Sequence, residues 1–562
     1  MLTISSLDGS LFKKIICGGL SMLKLRSAEI NNLNVFPVPD GDTGDNMFLT
    51  LSSGVKAINA LEDEDASLGD VSAVLSRGML LGARGNSGVI LSQFFSGIAK
   101  QLEGLDEADA TVLAEALSSG VKQAYISVMS PTEGTILTVA REGVGNAIIK
   151  LGHTGTVDIL LSDVREEMHI ALMNTPNLLP ILKEAGVVDS GGAGLYAIFD
   201  GMVRAAYGDS TDVQTDDTVP ETKEKNRGTA DPFAAFGEDS VMTYGYCTEF
   251  LLRLQSSKVD LGSFDHSVIT DYLSTVGNSI VAVRDGSIVK IHVHTLEPEK
   301  VLGFCRRYGE FLTMKIENMT LEHSEKHGKE STEQPKKAAP KKEYGTVAVC
   351  SGDGIKETFT ELGIDCIIEG GQTNNPSTED FLSAFDKVNA KHILVFPNNA
   401  NVIMAAKQAA NLYNGAHVHV IESRDLGSGY VGIASFNPEA DSADELCDMI
   451  NGAMENVVTG FVTTAVRSTE IGGVKIENGD NISFIGKKMI ASEKRRADAL
   501  HALIDSIFDA GEKFMLTAFC GRDVPTPERD ELRAYMKKQY PDVELYIVDG
   551  GQEVYSHILI AE

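Results

Sequence analysis

Three acidic side chains, Asp40, Asp42 and Asp45, lie close together in the segment NVFPVPDGDTGDNM near the start of the chain. Two prolines and two glycines restrict and bend the same segment. Oxygen ligands this dense on a stiff segment suggest a divalent cation. Gly41 places no side chain between the first two aspartates, so the carboxylates of Asp40 and Asp42 can converge.

An EF-hand calcium loop does not fit this spacing. Counted from Asp40, the fifth position is Gly44, the sixth is Asp45 instead of the required glycine, and the twelfth is Leu51 instead of a bidentate glutamate. Few carboxylates, completed by water and phosphate, are typical of magnesium beside a nucleotide, and Asn34 could add an oxygen. An Asx-rich surface turn, in which Pro, Asp and Gly serve only the backbone, stays open as the alternative.

Three further loops place glycine, hydroxyl and carboxyl residues directly before apolar helical stretches: GARGNSGVILSQ (82–93), SPTEGTILTVARE (130–142) and GVVDSGGAGLYAIFD (186–200). Backbone amides at a helix N-terminus bind anions through unpaired N–H groups and the helix dipole. None of the loops is a Walker A sequence, and an ordinary cap with Ser87 at or near the N-cap is the alternative for the first. Four such loops in one helical domain are better explained by one shared ligand.

Composition excludes several classes of protein. The 562 residues exceed one hydrophobic core and predict three or four domains. A formal charge of −31 argues against nucleic-acid binding, because no excess of Lys and Arg exists to displace counterions. We expect no membrane span, since no run of about 18 apolar residues occurs. Seven scattered cysteines without a CxxC pair predict reduced thiols and a cytoplasmic location.

Hydrophobic periodicity divides the chain into three folded segments and two polar linkers. Residues 1–207 show helical spacing of apolar residues and predict an all-α domain with its special residues in the loops. Residues 208–237 and 323–343 are poor in large apolar side chains and are interpreted as linkers. Residues 238–322 contain a hairpin pattern around Asp285-Gly286 and predict a small α+β domain. Residues 344–562 begin with strand–turn–helix units typical of a parallel sheet and continue as a mixed second lobe.

The four loops, in this order, resemble the nucleotide-binding domain of the dihydroxyacetone-kinase family, the DhaL-like helical barrel. The whole chain resembles the longer bacterial relatives of that family, the ATP-binding catalytic subunit of fatty acid kinase. The likeness continues through YGYCTEF, VKIHVHTLEP, KIENM, GGQTNNPSTEDF, VFPNNANV and VDGGQEVYSHILIAE. It implies a helical barrel, a middle α+β domain and a two-lobed DegV-like α/β domain.

The resemblance also implies an activity and its partners. The expected reaction transfers the γ-phosphate of ATP to a fatty acid carboxylate, and a DegV-like fatty-acid-binding protein presents the acyl chain. The C-terminal domain would dock this carrier, and the chain would form a homodimer. A dihydroxyacetone-type small-molecule kinase and a nucleotide-sensing adaptor without turnover are the rival hypotheses.

By the same resemblance, each loop residue receives a role. Magnesium would be held by Asp40 and Asp42 with Asn34. The nucleotide would contact Thr43, Gly44, Asn46, Asn86, Ser87, Gly88 and Thr135, and Asp189 would close its pocket. Asp45 departs from the threonine expected at its position and is not assigned as a ligand. Arg84 and Arg141 could neutralise phosphate or pair with surface carboxylates.

A second set of candidate residues lies in the middle domain. His292 and His294 alternate on a predicted strand, and Cys247 lies on another. One cysteine with two histidines suits Zn²⁺ with a fourth position open, whereas a polar strand face with an unrelated thiol is the alternative. The resemblance implies that these positions matter for activity, and it leaves zinc binding, acid–base catalysis and an acceptor site open.

Overall fold

The computed structural model describes residues 3–34, 41–61, 66–128, 130–152, 155–208, 246–259, 264, 267–285, 287–318, 341–372, 374–440, 442–508 and 513–562. The chain divides into two compact units. Met1–Gln214 and Pro340–Glu562 together form the first unit, and Thr215–Ala339 forms the second.

The N-terminal part of the first unit is a helical domain, as predicted. Its helices are α1 (Gly9–Asn31), α2 (Thr43–Asn59), α3 (Leu68–Leu81), α4 (Gly85–Leu102), α5 (Ala110–Ile126), α6 (Ile136–Leu151), α7 (Val157–Leu178), α8 (Pro180–Ala185) and α9 (Ser190–Ala206). Two short strands, β1 (Ser6–Asp8) and β2 (Glu107–Asp109), pair antiparallel and were not predicted. Strands of three residues are too short to show a period of two, so the sequence pattern could not reveal them.

Helices α1 and α9 pack closely because glycines face each other at their crossing. A Cβ atom added to Gly201 would overlap the carbonyl oxygen of Gly18, and one added to Gly18 would lie 2.7 Å from the carbonyl oxygen of Gly201. Phe199 on the same helix is 1% exposed and packs edge-on against Phe94 of α4. This close contact matters for the site, because α1 ends and α9 begins at two of the candidate loops.

The second unit contains an antiparallel sheet with two helices. Its elements are β3 (Tyr246–Leu254), α10 (Ser267–Val276), β4 (Gly277–Asp285), β5 (Ile288–Thr295), α11 (Pro298–Cys305) and β6 (Gly309–Asn318). The strand order is β4-β5-β3-β6, and Asp285 pairs with Ile288 across the turn of the first hairpin. The predicted α+β class and the predicted hairpin are therefore confirmed.

The C-terminal part of the first unit begins with a parallel sheet. Its elements are β7 (Lys342–Cys350), α12 (Asp353–Glu361), β8 (Cys366–Glu369), α13 (Thr378–Lys387), β9 (Ala390–Phe396), α14 (Ile403–Leu412) and β10 (His417–Val420). The strand order is β10-β9-β7-β8, and all three pairings are parallel. The strand–turn–helix pattern in the sequence predicted this lobe correctly.

A second lobe follows, built on a mixed six-stranded sheet of order β15-β14-β11-β18-β16-β17. Its elements are α15 (Leu426–Ala434), α16 (Ala443–Glu455), β11 (Val458–Thr464), β12 (Thr469–Ile471), β13 (Val474–Ile476), β14 (Asn481–Ile485), β15 (Lys488–Glu493), α17 (Arg496–Phe508), β16 (Met515–Cys520), α18 (Thr526–Gln539), β17 (Glu544–Asp549) and β18 (His557–Ala561). The predicted two-lobed α/β class is confirmed.

No helix within the described residues combines the length and the apolar composition needed to cross a bilayer.

We predict that Gly201→Ala destabilises the chain by about 1–3 kcal/mol, because the added methyl group must force α1 and α9 apart. Gly145→Ala is the matched control, since Gly145 lies inside α6 with nothing within 4 Å of its added Cβ. This control should gain about 0.5–1 kcal/mol from the better helix propensity of alanine. Urea unfolding of the full chain measures both changes, and equal effects of the two substitutions would contradict the packing argument.

Candidate functional site

The turn that follows α1 is held by side chains of α1 itself. Asn31 Oδ1 accepts a hydrogen bond of 2.7 Å from the amide of Gly44. A Cβ atom on Gly44 would lie 2.5 Å from the carbonyl oxygen of Ser27, so the close approach of α2 to α1 requires glycine there. Asp40 lies outside the described residues. The structure describes the turn from Gly41 onward, where a Cβ atom would lie 3.6 Å from Cβ of Asn34.

Two aspartates of this turn have different roles. Asp42 is the N-cap residue of α2, but its side chain makes no capping hydrogen bond. Asp45, in the first turn of α2, accepts hydrogen bonds from Ser27 Oγ (2.5 Å) and Asn31 Nδ2 (2.9 Å). The carboxylate of Asp45 therefore ties α2 to α1, whereas the carboxylate of Asp42 does not serve its own helix.

Helix α4 begins without a side-chain cap. Its N-cap residue is Arg84, which makes no capping hydrogen bond, and Gly85 follows with φ of 59°. Ser87 is the third residue of the helix, so it lies near the N-cap, as the alternative allowed, but the capping position belongs to Arg84. Gly88 faces Thr50 Oγ1 so closely that a side chain at this position would overlap the hydroxyl. The first amides of α4 thus lack the side-chain acceptor that usually serves them.

The amino ends of α2, α4, α6 and α9 meet at one place. Ser190 Oγ donates to Thr43 Oγ1 at 3.3 Å, which joins α9 to α2. A Cβ atom on Gly85 would lie 2.6 Å from Asn46 Nδ2, which joins α4 to α2. The first residues of α6 and α9 are also adjacent, since a Cβ atom on Gly191 would lie 3.2 Å from Cβ of Ile136. The dipoles of four helices therefore point their positive ends toward a common region.

Thr135 is the N-cap residue of α6, and Asp189 is the N-cap residue of α9. Thr135 Oγ1 accepts from the amide of Leu137 at 3.4 Å, and Asp189 Oδ2 accepts from the amide of Gly192 at 2.7 Å. Burial raises the pKa of Asp189 to about 6, although the amide hydrogen bonds oppose this shift. Asp189 thus holds the start of α9 in place.

A residue of the C-terminal domain reaches this region and was missed by the sequence interpretation. Asn375 lies in the loop before α13, is 1% exposed and donates a short hydrogen bond from Nδ2 to Asp42 Oδ2. Its Oδ1 is buried without a hydrogen-bond partner among the described residues. The motif GGQTNNPSTEDF contains Asn375, but in the sequence it served only as a sign of the DegV-like domain. Nothing in the sequence indicated a contact with a residue 333 positions earlier.

The same loop is bound to the start of α4 by hydrogen bonds to backbone atoms and by an ion pair. Arg84 Nη1 donates to the carbonyl oxygen of Asn375 at 2.8 Å and lies 3.6 Å from Asp380 Oδ2. The amide of Thr378 donates to the carbonyl oxygen of Ala83 at 3.2 Å. Arg84 is therefore used to hold the C-terminal domain.

Two further polar contacts extend the same junction along α4. Asn86 Nδ2 donates to Asn401 Oδ1 at 3.3 Å, and Gln93 Nε2 donates to Gln408 Oε1 at 3.1 Å. Arg141, the other arginine singled out in the sequence, is bound to Glu133 at 3.0 Å and to Glu142 at 3.3 Å. Both Arg84 and Arg141 therefore have partners inside the protein.

The oxygen atoms present fit a hard divalent cation with an anionic ligand. Asp42 supplies a carboxylate, and the buried amide oxygens Asn375 Oδ1 and Asn86 Oδ1 have no partners among the described residues. Magnesium takes oxygen ligands of this kind. The uncapped amides at the start of α4 suit a phosphate. The arrangement can therefore accept a magnesium–phosphate group, with Asn86, Ser87 and Gly88 on the phosphate side.

The second set of candidates is described only in its backbone. Strands β3 and β5 pair antiparallel with Cys247 opposite His294 and Glu249 opposite His292. The side chains of Cys247, His292 and His294 lie outside the part of the structure that is described. Among the side chains that are described, no group of three or more His, Cys, Asp or Glu residues could hold a metal ion.

Three protein-family models match this chain. The DAK2 domain matches residues 37–204, the FakA-like middle domain of fatty acid kinase matches 243–326, and the FakA-like C-terminal domain of fatty acid kinase matches 345–562. Protein YloV of Bacillus subtilis is 37% identical over 567 residues, which cover 100% of both chains. An uncharacterised protein of Staphylococcus saprophyticus is 36% identical with the same coverage.

Two solved structures resemble parts of the chain at low identity. The dihydroxyacetone kinase from C. freundii in complex with AMP-PNP and Mg²⁺ is 18% identical with a TM-score of 0.29, over 36% of this chain and 35% of that one. DegV, a fatty acid binding protein from Bacillus subtilis, is 13% identical with a TM-score of 0.30, over 39% of this chain and 99% of that one.

We predict that Asn375→Ala weakens the binding of ADP with Mg²⁺ by about tenfold, because Asp42 loses the donor that fixes its carboxylate. Asn374→Ala is the matched control, since the neighbouring side chain is exposed. Isothermal titration of the full-length variants at fixed Mg²⁺ concentration gives both affinities. Indistinguishable affinities for the two variants would show that the contact does not position Asp42.

Proposed function

The chain belongs to the FakA-like family of fatty acid kinase proteins, and on this basis we propose that it is an ATP- and Mg²⁺-dependent kinase. Its acceptor is the carboxylate of a fatty acid, presented by a DegV-like fatty-acid-binding protein, and its product is an acyl phosphate. The observation that carries the proposal is the meeting of four helix amino ends beside the Asp42 carboxylate. Helix amino ends that converge beside a carboxylate able to hold Mg²⁺ suit a metal-bound phosphate ligand such as a triphosphate.

The proposed roles follow from the chemistry of phosphoryl transfer, which depends on positioning and charge neutralisation. Asp42, with Asp40 and Asn34, would hold Mg²⁺, and the bound metal would neutralise phosphate charge. Thr43, Gly44 and Asn46 would line the nucleotide from α2. The amides of Asn86 and Ser87 would face the phosphates, whereas the amide of Gly88 donates to the carbonyl oxygen of Arg84. Thr135 and Asp189 would hold the neighbouring helix starts.

No protein nucleophile or general base is needed in this reaction. A fatty acid carboxylate is already ionised near neutral pH, so it can attack the γ-phosphorus directly. The bond between the γ-phosphorus and the bridging oxygen then breaks, and ADP leaves with that oxygen. The protein's task is therefore to hold charge and exclude water around the reacting groups.

We predict that Asp42→Asn lowers phosphoryl transfer by about 100-fold or more, because the metal loses a charged ligand while Asn375 retains a hydrogen-bonding partner. Glu107→Ala, an exposed carboxylate on β2, is the control and should keep normal turnover. ATP consumption is measured with the full chain, palmitate and a DegV-like carrier. Near-normal turnover of Asp42→Asn would remove the magnesium assignment.

The same assay separates the rival functions. Turnover on dihydroxyacetone without fatty acid would support a small-molecule kinase. Stoichiometric ATP binding without turnover under any of these conditions would support a nucleotide-sensing adaptor.

For the second unit, we propose that Cys247, His292 and His294 bind one zinc ion per chain, since the strand register brings Cys247 opposite His294. Elemental analysis of the purified full chain should show this zinc, and Cys247→Ser should lose it. Cys305→Ser, a buried cysteine of the same unit, should keep the metal. A wild-type chain without stoichiometric metal would contradict the zinc proposal.

A further inference from the structure

Glu133, in the loop before α6, accepts hydrogen bonds from side chains of two helices. Thr138 Oγ1 donates to Glu133 Oε2 at 2.5 Å, and Arg141 Nη2 donates to the same oxygen at 3.0 Å. Tyr125 Oη, in the last turn of α5, donates to Glu133 Oε1 at 3.2 Å. Both carboxylate oxygens are therefore used inside the protein, although the side chain of Glu133 is 48% exposed.

One of these hydrogen bonds continues into the backbone of the loop. Thr138 is fully buried, and its Oγ1 accepts a hydrogen bond of 2.8 Å from the amide of Gly134. The amide of Gly134, the hydroxyl of Thr138 and the carboxylate of Glu133 thus form a chain that closes a ring over residues 133–138. Hydrogen bonds in such a chain polarise one another, and an ionised acceptor at the end strengthens them. Because a buried hydroxyl without an acceptor is unfavourable, Glu133 holds this ring together.

The ring encloses the first residues of α6. Thr135 is the N-cap residue and Ile136 is the first residue of the helix, and both lie inside the ring. The amide of Ile136 donates to the carboxylate of Asp189, the N-cap residue of α9. The conformation of residues 133–138 therefore contributes to the way in which the amino ends of α6 and α9 lie against each other.

The backbone of Gly134 shows why this loop must be held by other groups. Its φ of 82° is a conformation that glycine adopts easily, and an added Cβ atom would lie 2.8 Å from Cγ of Leu179. Glycine also adopts many other conformations at little cost, so Gly134 does not fix the loop by itself. The hydrogen bond from its amide to Thr138 supplies the restraint that the residue type lacks.

The charge of Glu133 needs an explanation beside an anion site. A carboxylate near the amino end of a helix competes with a bound phosphate through like charge. Arg141 offsets this charge, and burial raises the pKa of Tyr125 to about 12, so that its hydroxyl stays protonated and can donate. An ion pair whose two side chains are about half exposed adds little to stability. The ion pair alone therefore gives no reason for a carboxylate at this place.

We propose that Glu133 is a positioning residue of the candidate site, which acts through Thr138 and Gly134 to hold the start of α6 in the conformation that binds the phosphates of the nucleotide. This inference rests on the proposed function. In this role Glu133 does not touch the nucleotide, and Arg141 supports Glu133 instead of binding phosphate. The start of α6 would be used equally before and during transfer, so the loss of Glu133 should change nucleotide affinity more than the rate of the chemical step.

Glu133→Ala opens the ring and leaves the Thr138 hydroxyl without the acceptor that it uses. We expect the Kd of ADP with Mg²⁺ and the KM for ATP to rise about tenfold, with kcat within about threefold of the wild-type value. Glu133→Gln keeps an oxygen for Thr138 and should bring both constants back to within about threefold. Isothermal titration gives Kd, and ATP consumption by the full chain with palmitate and a DegV-like carrier gives KM and kcat.

Glu142→Ala is the matched control, because Glu142 is the other carboxylate bound to Arg141 and has no hydrogen bond to the loop among the described residues. This control should keep the wild-type constants. Thr138→Val removes the hydroxyl, keeps the shape of the side chain, and should raise Kd and KM as Glu133→Ala does. Since both changes open the same ring, the double variant should lose little more affinity than either single variant.

Three results would overturn the proposal: unchanged Kd and KM in Glu133→Ala, an equal loss in Glu142→Ala, or additive losses in the double variant. Urea unfolding shows whether each variant keeps its fold. If Glu133→Ala does not fold, unchanged Kd and KM in Thr138→Val would overturn the proposal in its place. A wild-type chain that binds no ADP and consumes no ATP would instead remove the proposed function, and this inference with it.

Discussion

The hydrogen bond from Asn375 to Asp42 joins two domains at the residue on which the candidate site depends. A carboxylate that caps its own helix is unavailable to a metal, and Asp42 avoids this role although it occupies the N-cap position. Because Asn375 is almost completely buried, the orientation of Asp42 depends on the docking of the C-terminal domain. The candidate site and the domain junction therefore share the hydrogen bond between Asp42 and Asn375, and a change at either one alters the geometry of the other.

The hydrogen bonds around the Asp42 turn reflect the number of carboxylates that lie close together there. The chain is strongly acidic, and Asp45 and Asp189 place further carboxyl groups beside the Asp42 turn. Each of these carboxylates is hydrogen-bonded by neighbouring groups: two side chains of α1 donate to Asp45, and Asp189 caps α9. The helix amino ends then face a region in which Asp42 is a carboxylate not used by its own helix. In the proposed function, the four helix dipoles and a magnesium ion on Asp42 would balance the charge that a triphosphate brings.

Local sequence signals predicted much of this arrangement, because they act within a few residues. Glycine, hydroxyl and carboxyl residues before apolar stretches marked the starts of α2, α4, α6 and α9, and Asp285-Gly286 marked the hairpin of the second unit. The N-cap residue of α4 is Arg84, and Ser87, named in the sequence as lying at or near the cap, is the third residue of the helix. Asn375 could not be found in this way. Its contact with Asp42 joins residues 333 positions apart and exists only because two domains dock.

Arg84 contacts the C-terminal domain although it lies at the start of α4. An arginine beside the uncapped start of α4 would be an obvious phosphate ligand, yet its Nη1 binds the carbonyl oxygen of Asn375. In the proposed function, a magnesium ion on Asp42 and the helix dipoles would supply the positive charge that Arg84 does not, and the orientation of Asp42 depends on Asn375 of the C-terminal domain. The C-terminal domain therefore contributes to the geometry of the candidate site through the hydrogen bond from Asn375 to Asp42.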